Sequence, residues 1–439
     1  MAGSQTKMAE ASPEATMSPL ARINAILGGS AGNLVEWYDW FAYSSFALYF
    51  ARHFFPKGDQ TAQLLQAAAV FAVGFLMRPI GAWLMGLYAD RAGRRAALTA
   101  SVALMSAGSF AIALIPDFSV IGVAAPVLLV IARLVQGLSL GGEYGASCVY
   151  MTEMAGKGRR GFWSSFQFMT LIAGQLTALA VLIVLQNVLP QSALEGWGWR
   201  IPFAIGGVLA IVVFWIRTGL SETRSFLASK AEGAAPARTA MLWRDHPRAT
   251  LAIFGLTSAG SLAFYAYTTY MQKFLVNTAG FSKNTATAIT AAALVIYMLV
   301  QPLIGWASDY IGRRAVMAAG FGLGALATYP VFTLIAGSGS PWTAFALMTL
   351  LVVILSGYTA VNAAVKAELF PTHVRALGVA LPYALANAIF GGTAEYVALW
   401  FKQSGNESWF YIYVAAGMAI AAVISARLPD TNAAEILEA

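Results

Sequence analysis

GLYADRAGRR, at residues 86–95, recurs as GWASDYIGRR at residues 305–314. Both copies have the pattern Gly-x-x-x-Asp-x-x-Gly-Arg-Arg, and each follows a long apolar run. A pattern that returns in the same place relative to its apolar neighbours indicates an internal duplication. The chain is therefore predicted to contain two halves with one architecture.

Two further matches keep this order along the chain. They pair SAGNL (30–34) with SAGSL (258–262), and TEMAGKGRRG (152–161) with AELFPTHVRALG (367–378). The first pair lies in the first apolar run of each half, and the second pair follows the fourth run. Parallel halves related by an axis along the membrane normal are typical of a large class of transporters, which bind substrate at mid-membrane between the halves.

The composition predicts a chain that lies mostly within a membrane. Of the 439 residues, 59% are hydrophobic and 11% are charged, whereas a soluble protein is about one quarter charged. Twelve apolar runs reach the length of roughly 20 residues that a spanning helix needs, and the polar stretch 218–248 divides them six and six. The predicted fold is an all-α membrane protein with twelve transmembrane helices in two pseudo-symmetric six-helix bundles.

The expected organisation is a disordered N-terminal tail (1–21), an N-terminal bundle (22–217), a central loop (218–248), a C-terminal bundle (249–428) and a C-terminal tail (429–439). Lysine and arginine are concentrated in the loops that lie on the same side as the N-terminus, and loops on the other side carry few, Lys273 among them. Because positively charged loops stay in the cytoplasm, we expect both tails and the central loop to be cytoplasmic.

Motifs that the chain lacks argue against other functions. No nucleophile motif or nucleotide-binding loop occurs, which argues against an enzyme and against an ATP-driven pump. The basic residues form only short, scattered clusters, so we expect no nucleic-acid partner. His53, His246 and His373 have no metal-ligating neighbours in the sequence, and we expect neither a metal nor another cofactor.

Longer stretches carry a family resemblance. The paired loop motif resembles that of the major facilitator superfamily, and four stretches are similar to its metabolite:proton symporter family, most closely to the α-ketoglutarate permeases: RLVQGLSLGGEYG (133–145), GWGWRIPF (196–203), TTYMQKFLVNTAG (268–280) and ANAIFGGTAEYVAL (386–399). The resemblance implies uptake of an organic anion with a proton across the inner (plasma) membrane. We expect a multi-pass protein that contacts membrane lipid and works as a monomer.

Glu36 and Asp39 lie inside the first apolar run. A charged group at that depth is costly and is by default a functional hypothesis. They share one helical face with Asn33, while the repeat places Phe264 and Tyr267 opposite the two acids. The duplicated scaffold therefore does not require acids here, and we interpret both as proton-coupling residues, with Asp39 ahead of Glu36. The open alternative is that they only pair with buried arginines.

Arg78 and Arg133, on the second and fourth helices of the first half, are the expected substrate cations. A guanidinium stays charged and binds a carboxylate bidentately, so two in one cavity suit a dicarboxylate. We expect Asp39 to bind Arg133 in the empty carrier, and protonation of Asp39 to free Arg133 for substrate. Such reciprocal linkage would couple the two ligands. The alternative is charge pairing alone.

Uncharged substrate contacts are expected from both halves, because amides and hydroxyls can bind a keto or carboxylate oxygen. The candidates are Asn33, Tyr38, Gln175, Tyr267, Tyr270, Gln272, Gln301 and Asn387. For each, the alternative is a hydrogen bond between helices. Glu143 and Glu395 stay open between ion sites and structural roles. Lys366 and Glu368 are expected near a cytoplasmic end of their helix, where a charge is less costly.

By the same resemblance, the paired loop motif implies a cytoplasmic gate. Its aspartates would meet the positively polarised N-terminus of a helix in the opposite half, beside arginines. The expected gate residues are Asp90, Arg94, Glu153, Arg160, Asp309, Arg313, Glu368 and Arg375. The alternative, positive charge that sets topology, explains the arginines but not the repeated aspartate.

These expectations describe a secondary active transporter that imports a dicarboxylate with protons by alternating access. α-Ketoglutarate is the leading candidate substrate. One alternative is another organic acid or a zwitterion, of the citrate, shikimate, betaine or proline type. Another is a membrane sensor that binds a metabolite without moving it. The two buried arginines favour two carboxylates over a zwitterion.

Overall fold

The computed structural model describes residues 19–92, 94–139, 159–218 and 239–429. Every secondary-structure element in these residues is helical, as expected in a bilayer that offers no partners to backbone N–H and C=O groups. Eight of these helices are long and apolar enough to span a membrane, three further apolar helices are shorter, and the helix Pro19–Phe54 completes a set of twelve.

The first six of these helices are α1 (Pro19–Phe54), α2 (Gln60–Ala92), α3 (Arg94–Leu114), α4 (Ala124–Ser139), α5 (Phe166–Val188) and α6 (Ile201–Thr218). The second six are α7 (Pro247–Tyr265), α8 (Lys283–Ile311), α9 (Arg313–Ala336), α10 (Pro341–Thr359), α11 (Thr372–Ala386) and α12 (Ser408–Ala426). Three continue beyond a local irregularity: α7 and α11 pass through the π turns Ala266–Tyr270 and Asn387–Gly391 into Met271–Asn277 and Ala394–Gln403, and α10 resumes as Asn362–Glu368.

The two sets of six helices pack in the same pattern. In the first set α1 contacts α5 and α6, α4 contacts α2 and α3, and α3 contacts α6. The corresponding contacts of α7, α10 and α9 repeat this arrangement in the second set. The sets meet where α2 lies against α11 and where α5 lies against α8. The predicted fold of two six-helix bundles is confirmed, while the exact bundle boundaries stay a prediction.

Aromatic side chains fill the interface between the bundles. The ring of Phe41 on α1 lies 6.3 Å from that of Phe264 and 6.4 Å from that of Tyr265, both on α7. Tyr265 also packs edge-on against Phe75 of α2 at 5.3 Å. All four rings are buried. Polar groups that lie beside this aromatic layer are therefore shielded from water.

Candidate substrate and proton site

Asp39 lies at the centre of a polar cluster formed by α1, α3 and α4. Its side chain is 1% exposed. One carboxylate oxygen accepts a hydrogen bond from the hydroxyl of Ser109, and the other accepts one from the amide of Gln136 at 2.5 Å. Hydrogen bonds to a charged acceptor are about twice as strong as neutral ones. The protonation state of Asp39 is therefore linked to the positions of both donors.

Gln136 connects Asp39 to Arg133. Nη1 of Arg133 donates to Oε1 of Gln136 at 2.8 Å, while the amide nitrogen of Gln136 contacts the acid. Gln136 and Arg133 are one turn apart on α4, so both project from one face. The expected direct ion pair between Asp39 and Arg133 is thus replaced by a bridge through one amide group, because this amide occupies the space between the two charges.

Arg133 and Arg78 share one aromatic surface. The guanidinium carbon of Arg133 lies 3.8 Å from the ring centroid of Trp40, and that of Arg78 lies 4.3 Å from it. Arg78 also lies 3.9 Å from the Phe75 ring, and Arg133 lies 4.4 Å from the Tyr43 ring. Aromatic faces attract cations. These rings therefore stabilise two buried like charges that would otherwise repel each other.

The two arginines retain N–H groups that have no hydrogen-bond partner. These groups are Nε and Nη2 of each guanidinium, in side chains that are 7% exposed for Arg78 and 0% for Arg133. Nε1 of Trp40 and Nδ2 of Asn387 are further buried donors without a partner. An unsatisfied buried donor costs about 1–3 kcal/mol. A group of such donors is suited to an anion that offers several oxygens.

Tyr265 brings the second bundle to this group of donors. Its hydroxyl lies close enough to Arg78 of α2 and to Asn387 of the π turn after α11 to interact with both. Glu36 is 5% exposed and lies close enough to Arg78 to interact with it electrostatically. The first bundle therefore supplies the charges of the site, and the second bundle supplies neutral hydrogen-bonding groups.

Tyr38 and Tyr267, two of the predicted substrate contacts, form hydrogen bonds with groups other than the arginines. The hydroxyl of Tyr38 donates to the carbonyl oxygen of Pro202 at 2.9 Å, within the first bundle. The hydroxyl of Tyr267 hydrogen-bonds with Thr328 Oγ1 at 2.5 Å and lies 3.0 Å from Met418 Sδ, within the second bundle. In both residues the hydroxyl links helices of its own half.

Tyr270, Gln272 and Gln301 also form hydrogen bonds within the second bundle. Their partners are, in this order, Glu407 at 2.8 Å, Thr287 at 3.1 Å and Ser356 at 3.2 Å. These three residues thus form hydrogen bonds to neighbouring segments, which was the alternative to a substrate contact. Gln175 is 2% exposed and its Oε1 has no hydrogen-bond partner. The side chain of Asn33 lies outside the described part of the chain.

Four residues of the site were not predicted from the sequence: Trp40, Ser109, Gln136 and Tyr265. A signal existed for Ser109. The register that aligns Asp90 with Asp309 also aligns Ser109 with Thr328. Trp40 and Tyr265 have no comparable signal, because aromatic residues are frequent throughout the chain.

Asp309 joins the two bundles at one end of the molecule. Its carboxylate accepts hydrogen bonds from the backbone N–H groups of Gly161 at 2.7 Å and Phe162 at 3.0 Å. These groups belong to the helix Arg160–Ser164, which leads into α5. A carboxylate of the second half thus caps a helix N-terminus of the first half, where the first N–H groups have no partner within the helix.

Gly161 permits the backbones of the two halves to approach each other beside this cap. A Cβ atom on Gly161 would collide with the carbonyl oxygen of Gly305 on α8, and a Cβ atom on Gly305 would collide with Gly161 in turn. Each glycine therefore makes room for the backbone of the other. Any larger side chain here would separate α5 from α8.

Glu368 adds an ion-pair network to the same end. It pairs with Arg313 of its own half and lies 3.8 Å from Arg160 of the other half. Nη2 of Arg313 is 3.3 Å from Oδ1 of Asp309. Arg375 is 2% exposed and its Nε donates to the carbonyl oxygen of Phe370 at 3.2 Å. The side chains of Asp90, Arg94 and Glu153, which are predicted gate residues, and that of Glu143 lie outside the described part of the chain.

Lys366 and Glu368 are more deeply buried than expected. Their side chains are 1% and 2% exposed, and Nζ of Lys366 lies 4.5 Å from the centroid of the Tyr383 ring. They nevertheless lie at the end of the molecule that is predicted to be cytoplasmic, since Glu368 pairs with Arg313 beside Asp309. Their helix, Asn362–Glu368, is covered by Arg160–Ser164 and by α11.

Towards the opposite end, Ser44 of the first bundle binds a buried ion pair of the second bundle. Nζ of Lys273 lies 3.0 Å from Oε2 of Glu395, and the two side chains are 0% and 3% exposed. The hydroxyl of Ser44 on α1 donates to Glu395 at 2.9 Å and accepts from Lys273. Lys273 is thus not a loop residue, as the sequence suggested, but lies inside the bundle. A buried charge needs a partner, and Glu395 provides it.

Glu195 forms a second link nearer the surface of that opposite end. It belongs to the short helix Gln191–Gly196 and lies 2.9 Å from Lys283 of α8 and 3.1 Å from Arg52. Partial burial raises the pKa of Glu195, but hydrogen bonds from Gln191 and Lys283 and the nearby positive charges lower it by more. The pKa is therefore held below the ordinary carboxyl value.

Comparison with known proteins identifies related chains. Two family models match, Sugar (and other) transporter over residues 25–248 and Major Facilitator Superfamily over residues 260–437. The alpha-ketoglutarate permease of Escherichia coli K12 is 52% identical over 409 residues, which are 93% of this chain and 94% of that protein. The citrate-proton symporter of Klebsiella pneumoniae is 36% identical over 372 residues, 85% of this chain and 84% of that protein.

The fold is also found among solved structures. The xylose transporter XylE from E. coli, in a partially occluded inward open conformation, superimposes with a TM-score of 0.75 at 20% identity, over 94% of this chain and 99% of that one. Two six-helix bundles around buried charges define a membrane transporter. The chain belongs to the major facilitator superfamily, and its relatives are permeases and symporters rather than enzymes.

Proposed function

We propose that this protein imports a dicarboxylate together with protons, and that α-ketoglutarate is the leading substrate. The observation that carries the proposal is the pair of buried guanidiniums of Arg78 and Arg133, each with two N–H groups that have no partner. The 52% identity to a protein named alpha-ketoglutarate permease supports the choice of substrate. A citrate-proton symporter among the relatives supports both an organic acid and a proton.

Each arginine takes one carboxylate of the substrate in this proposal. Arg–carboxylate contacts are frequently bidentate, which fixes geometry as well as adding energy. The unpaired Nε1 of Trp40 and Nδ2 of Asn387 then remain for a keto oxygen or for a second carboxylate oxygen. Substrate would relieve several unsatisfied donors at once, and this explains why the two guanidiniums would prefer a dianion.

Asp39 couples the proton to this binding. While Asp39 is charged, it holds the amide of Gln136, and that amide holds Nη1 of Arg133. A proton on Asp39 weakens the first contact, so that Gln136 and Arg133 can turn to the substrate. A bound dianion in turn favours the protonated acid, and the linkage is reciprocal by thermodynamic necessity. Glu36, beside Arg78, is the second acid that could take part.

Alternating access uses the two links between the bundles. The contact of Asp309 with Gly161 and Phe162 closes the cytoplasmic end, and the cluster of Lys273, Glu395 and Ser44 closes the outer end. Substrate would reach the arginines when one link opens while the other holds. In this proposal both tails are cytoplasmic, the membrane is the inner membrane, and one chain is the functional unit.

Reconstitution into liposomes tests the proposal. With an imposed inward proton gradient, we expect labelled α-ketoglutarate to accumulate above its external concentration and the external medium to become more alkaline. A panel of competing acids should place dicarboxylates ahead of monocarboxylates and of betaine. Exchange of substrate without any alkalinity change would indicate an anion exchanger and overturn the coupling, and inhibition only by zwitterions would overturn the substrate class.

A further inference from the structure

Trp40 is the one described side chain whose ring contacts both substrate-site guanidiniums within 4.3 Å. The indole is 0% exposed. Its ring packs edge-on against Phe75 at 4.8 Å and in a tilted arrangement against Phe71 at 5.4 Å. With its position fixed on these sides, the ring cannot follow an arginine that moves. It acts as a rigid element between α1, α2 and the two cations.

Gly74 of α2 lies close to the far edge of the Trp40 indole. A Cβ atom on Gly74 would lie 2.9 Å from Cη2 of Trp40, 3.4 Å from the carbonyl oxygen of Arg133 and 3.7 Å from Nε of Arg133. A separation of 2.9 Å is shorter than carbon atoms tolerate, so a larger residue would displace the ring. The hydrogen side chain of Gly74 thus provides the space in which the far edge of the indole lies.

We infer that Trp40 determines which length of dicarboxylate this transporter accepts, by fixing the separation of the Arg78 and Arg133 guanidiniums and by donating its Nε1–H to the substrate. The inference rests on the proposed dicarboxylate transport and makes it more specific. Among the charged and aromatic groups of the site, Trp40 is a specificity residue, whereas the arginines provide the affinity.

The geometry gives the physical reason. Each guanidinium carbon lies about 4 Å from the same ring centroid, so the two carbons are within roughly 8 Å of each other. Two cations at that separation in a water-poor interior repel each other strongly. The Trp40 ring contacts both of them and therefore limits how closely they approach. A smaller ring would allow a closer approach once a dianion neutralises the repulsion. Shorter acids would then bind both arginines.

Inhibition by a homologous series tests this inference. Labelled α-ketoglutarate exchange would be measured in liposomes, with malonate, succinate, glutarate and adipate as competitors, for wild type and for Trp40→Phe. We expect the ratio of the inhibition constants of glutarate and succinate to shift towards succinate by about tenfold, the amount that one methylene group in a fitted pocket is worth. The maximal exchange rate should change much less than the ratio.

Trp37→Phe is the matched control. Trp37 is one turn earlier on α1 and its ring lies 5.0 Å from Arg78, but no cation–π contact links it to Arg133 among the described residues. We expect Trp37→Phe to weaken all four acids by a similar factor and to leave their order unchanged. A changed ratio of the glutarate and succinate inhibition constants in Trp37→Phe, or an unchanged ratio in Trp40→Phe, would overturn the assignment to Trp40.

Gly74→Ala provides a second variant in case Trp40→Phe does not fold. It keeps the indole side chain but displaces its ring, so the relative inhibition within the series should change again. If either variant exchanges α-ketoglutarate with the wild-type ratio of these inhibition constants, the inference fails and the proposed function survives. If wild type itself exchanges no dicarboxylate, the proposed function fails first.

Discussion

The two bundles have the same link at matched positions but use different chemistry. In the first bundle Asp39 of α1 accepts a hydrogen bond from Ser109 of α3. In the second bundle Tyr267 of α7 hydrogen-bonds with Thr328 of α9 at 2.5 Å. The repeat aligns Asp39 with Tyr267 and Ser109 with Thr328, so a polar contact between the first and third helices is common to both halves.

The difference is what surrounds that contact. In the first bundle Gln136 extends it to the charge of Arg133, and in the second bundle the neutral thioether of Met418 lies beside it. The hydrogen bond between helices is therefore part of the duplicated scaffold, and the charge is an addition to one copy. This explains why Tyr267 hydrogen-bonds within its own bundle although the repeat places it opposite Asp39.

The sharpest way to test this difference is Asp39→Asn. Asparagine keeps the size of the side chain but cannot take up a proton. We expect accumulation driven by a pH gradient to fall about 10- to 100-fold, in line with the coupling free energies of linked ligands, while exchange of labelled substrate stays within a few-fold of wild type. Tyr267→Phe, the matched variant, should keep accumulation. Full accumulation by Asp39→Asn would move the coupling role to Glu36.

Arg133→Lys tests whether substrate binding needs the planar guanidinium group of Arg133 or only its positive charge. Lysine keeps the positive charge but lacks the planar set of donors. We expect the KM for α-ketoglutarate to rise about 10- to 100-fold, as hydrogen bonds to charged groups are lost. Gln301→Leu is the control in the second bundle, and its KM should stay close to the wild-type value. Equal effects of both variants on KM would contradict the division between the bundles.

Asp309→Asn tests the copy of the loop motif whose contacts are known. Loss of the charge weakens the cap on Gly161 and Phe162, a contribution of about 1 kcal/mol at a helix N-terminus. We expect the initial rate of uptake to fall about fivefold at equal amounts of protein in the membrane. Asp90→Asn is the matched variant from the first copy. If neither variant slows uptake, the motif does not act as a gate.

Thr328→Val and Ser109→Ala distinguish the hydrogen bond that both bundles share from the charged acid that only the first bundle has. Each removes one hydroxyl of the duplicated contact, and a typical hydrogen bond contributes about 1 kcal/mol to the free energy of unfolding. We expect both variants to lower the Tm by a few degrees. Only Ser109→Ala should alter the pH dependence of uptake, because only Ser109 contacts an acid. An altered pH profile in Thr328→Val would show that the second bundle also carries the proton.

Glu195→Gln should have the smallest effect. The pKa of Glu195 is held below its ordinary value, so its ion pairs stabilise the fold above the carboxyl range and lose this effect only as the pH falls through the lowered pKa. Exposed pairs of this kind contribute below about 1 kcal/mol. The Tm deficit of the variant should be constant across neutral and mildly acidic pH and disappear at strongly acidic pH. A Tm deficit that grows on acidification would contradict a lowered pKa of Glu195.

The site residues that could be identified from the sequence are those whose burial is energetically costly. Asp39, Arg78 and Arg133 stand out because a charge in an apolar run needs a reason, and the structure brings all three to one site. Tyr270 and Gln272 could not be placed in the same way. A π turn at Ala266–Tyr270 interrupts α7, and such a turn shifts the later residues around the helix relative to a regular α-helix.

The sequence by itself determined that the chain crosses a membrane, that it is duplicated, and that Glu36, Asp39, Arg78 and Arg133 lie inside apolar runs of its first half. Periodicity, repeats and the high cost of buried charge are properties of the chain, so they can be read from it. Only the tertiary structure decided that Gln136 separates Asp39 from Arg133, that Glu395 pairs with Lys273, and which faces meet at Trp40. These contacts join helices distant in sequence, and a neutral side chain finds its partner only when the helices pack.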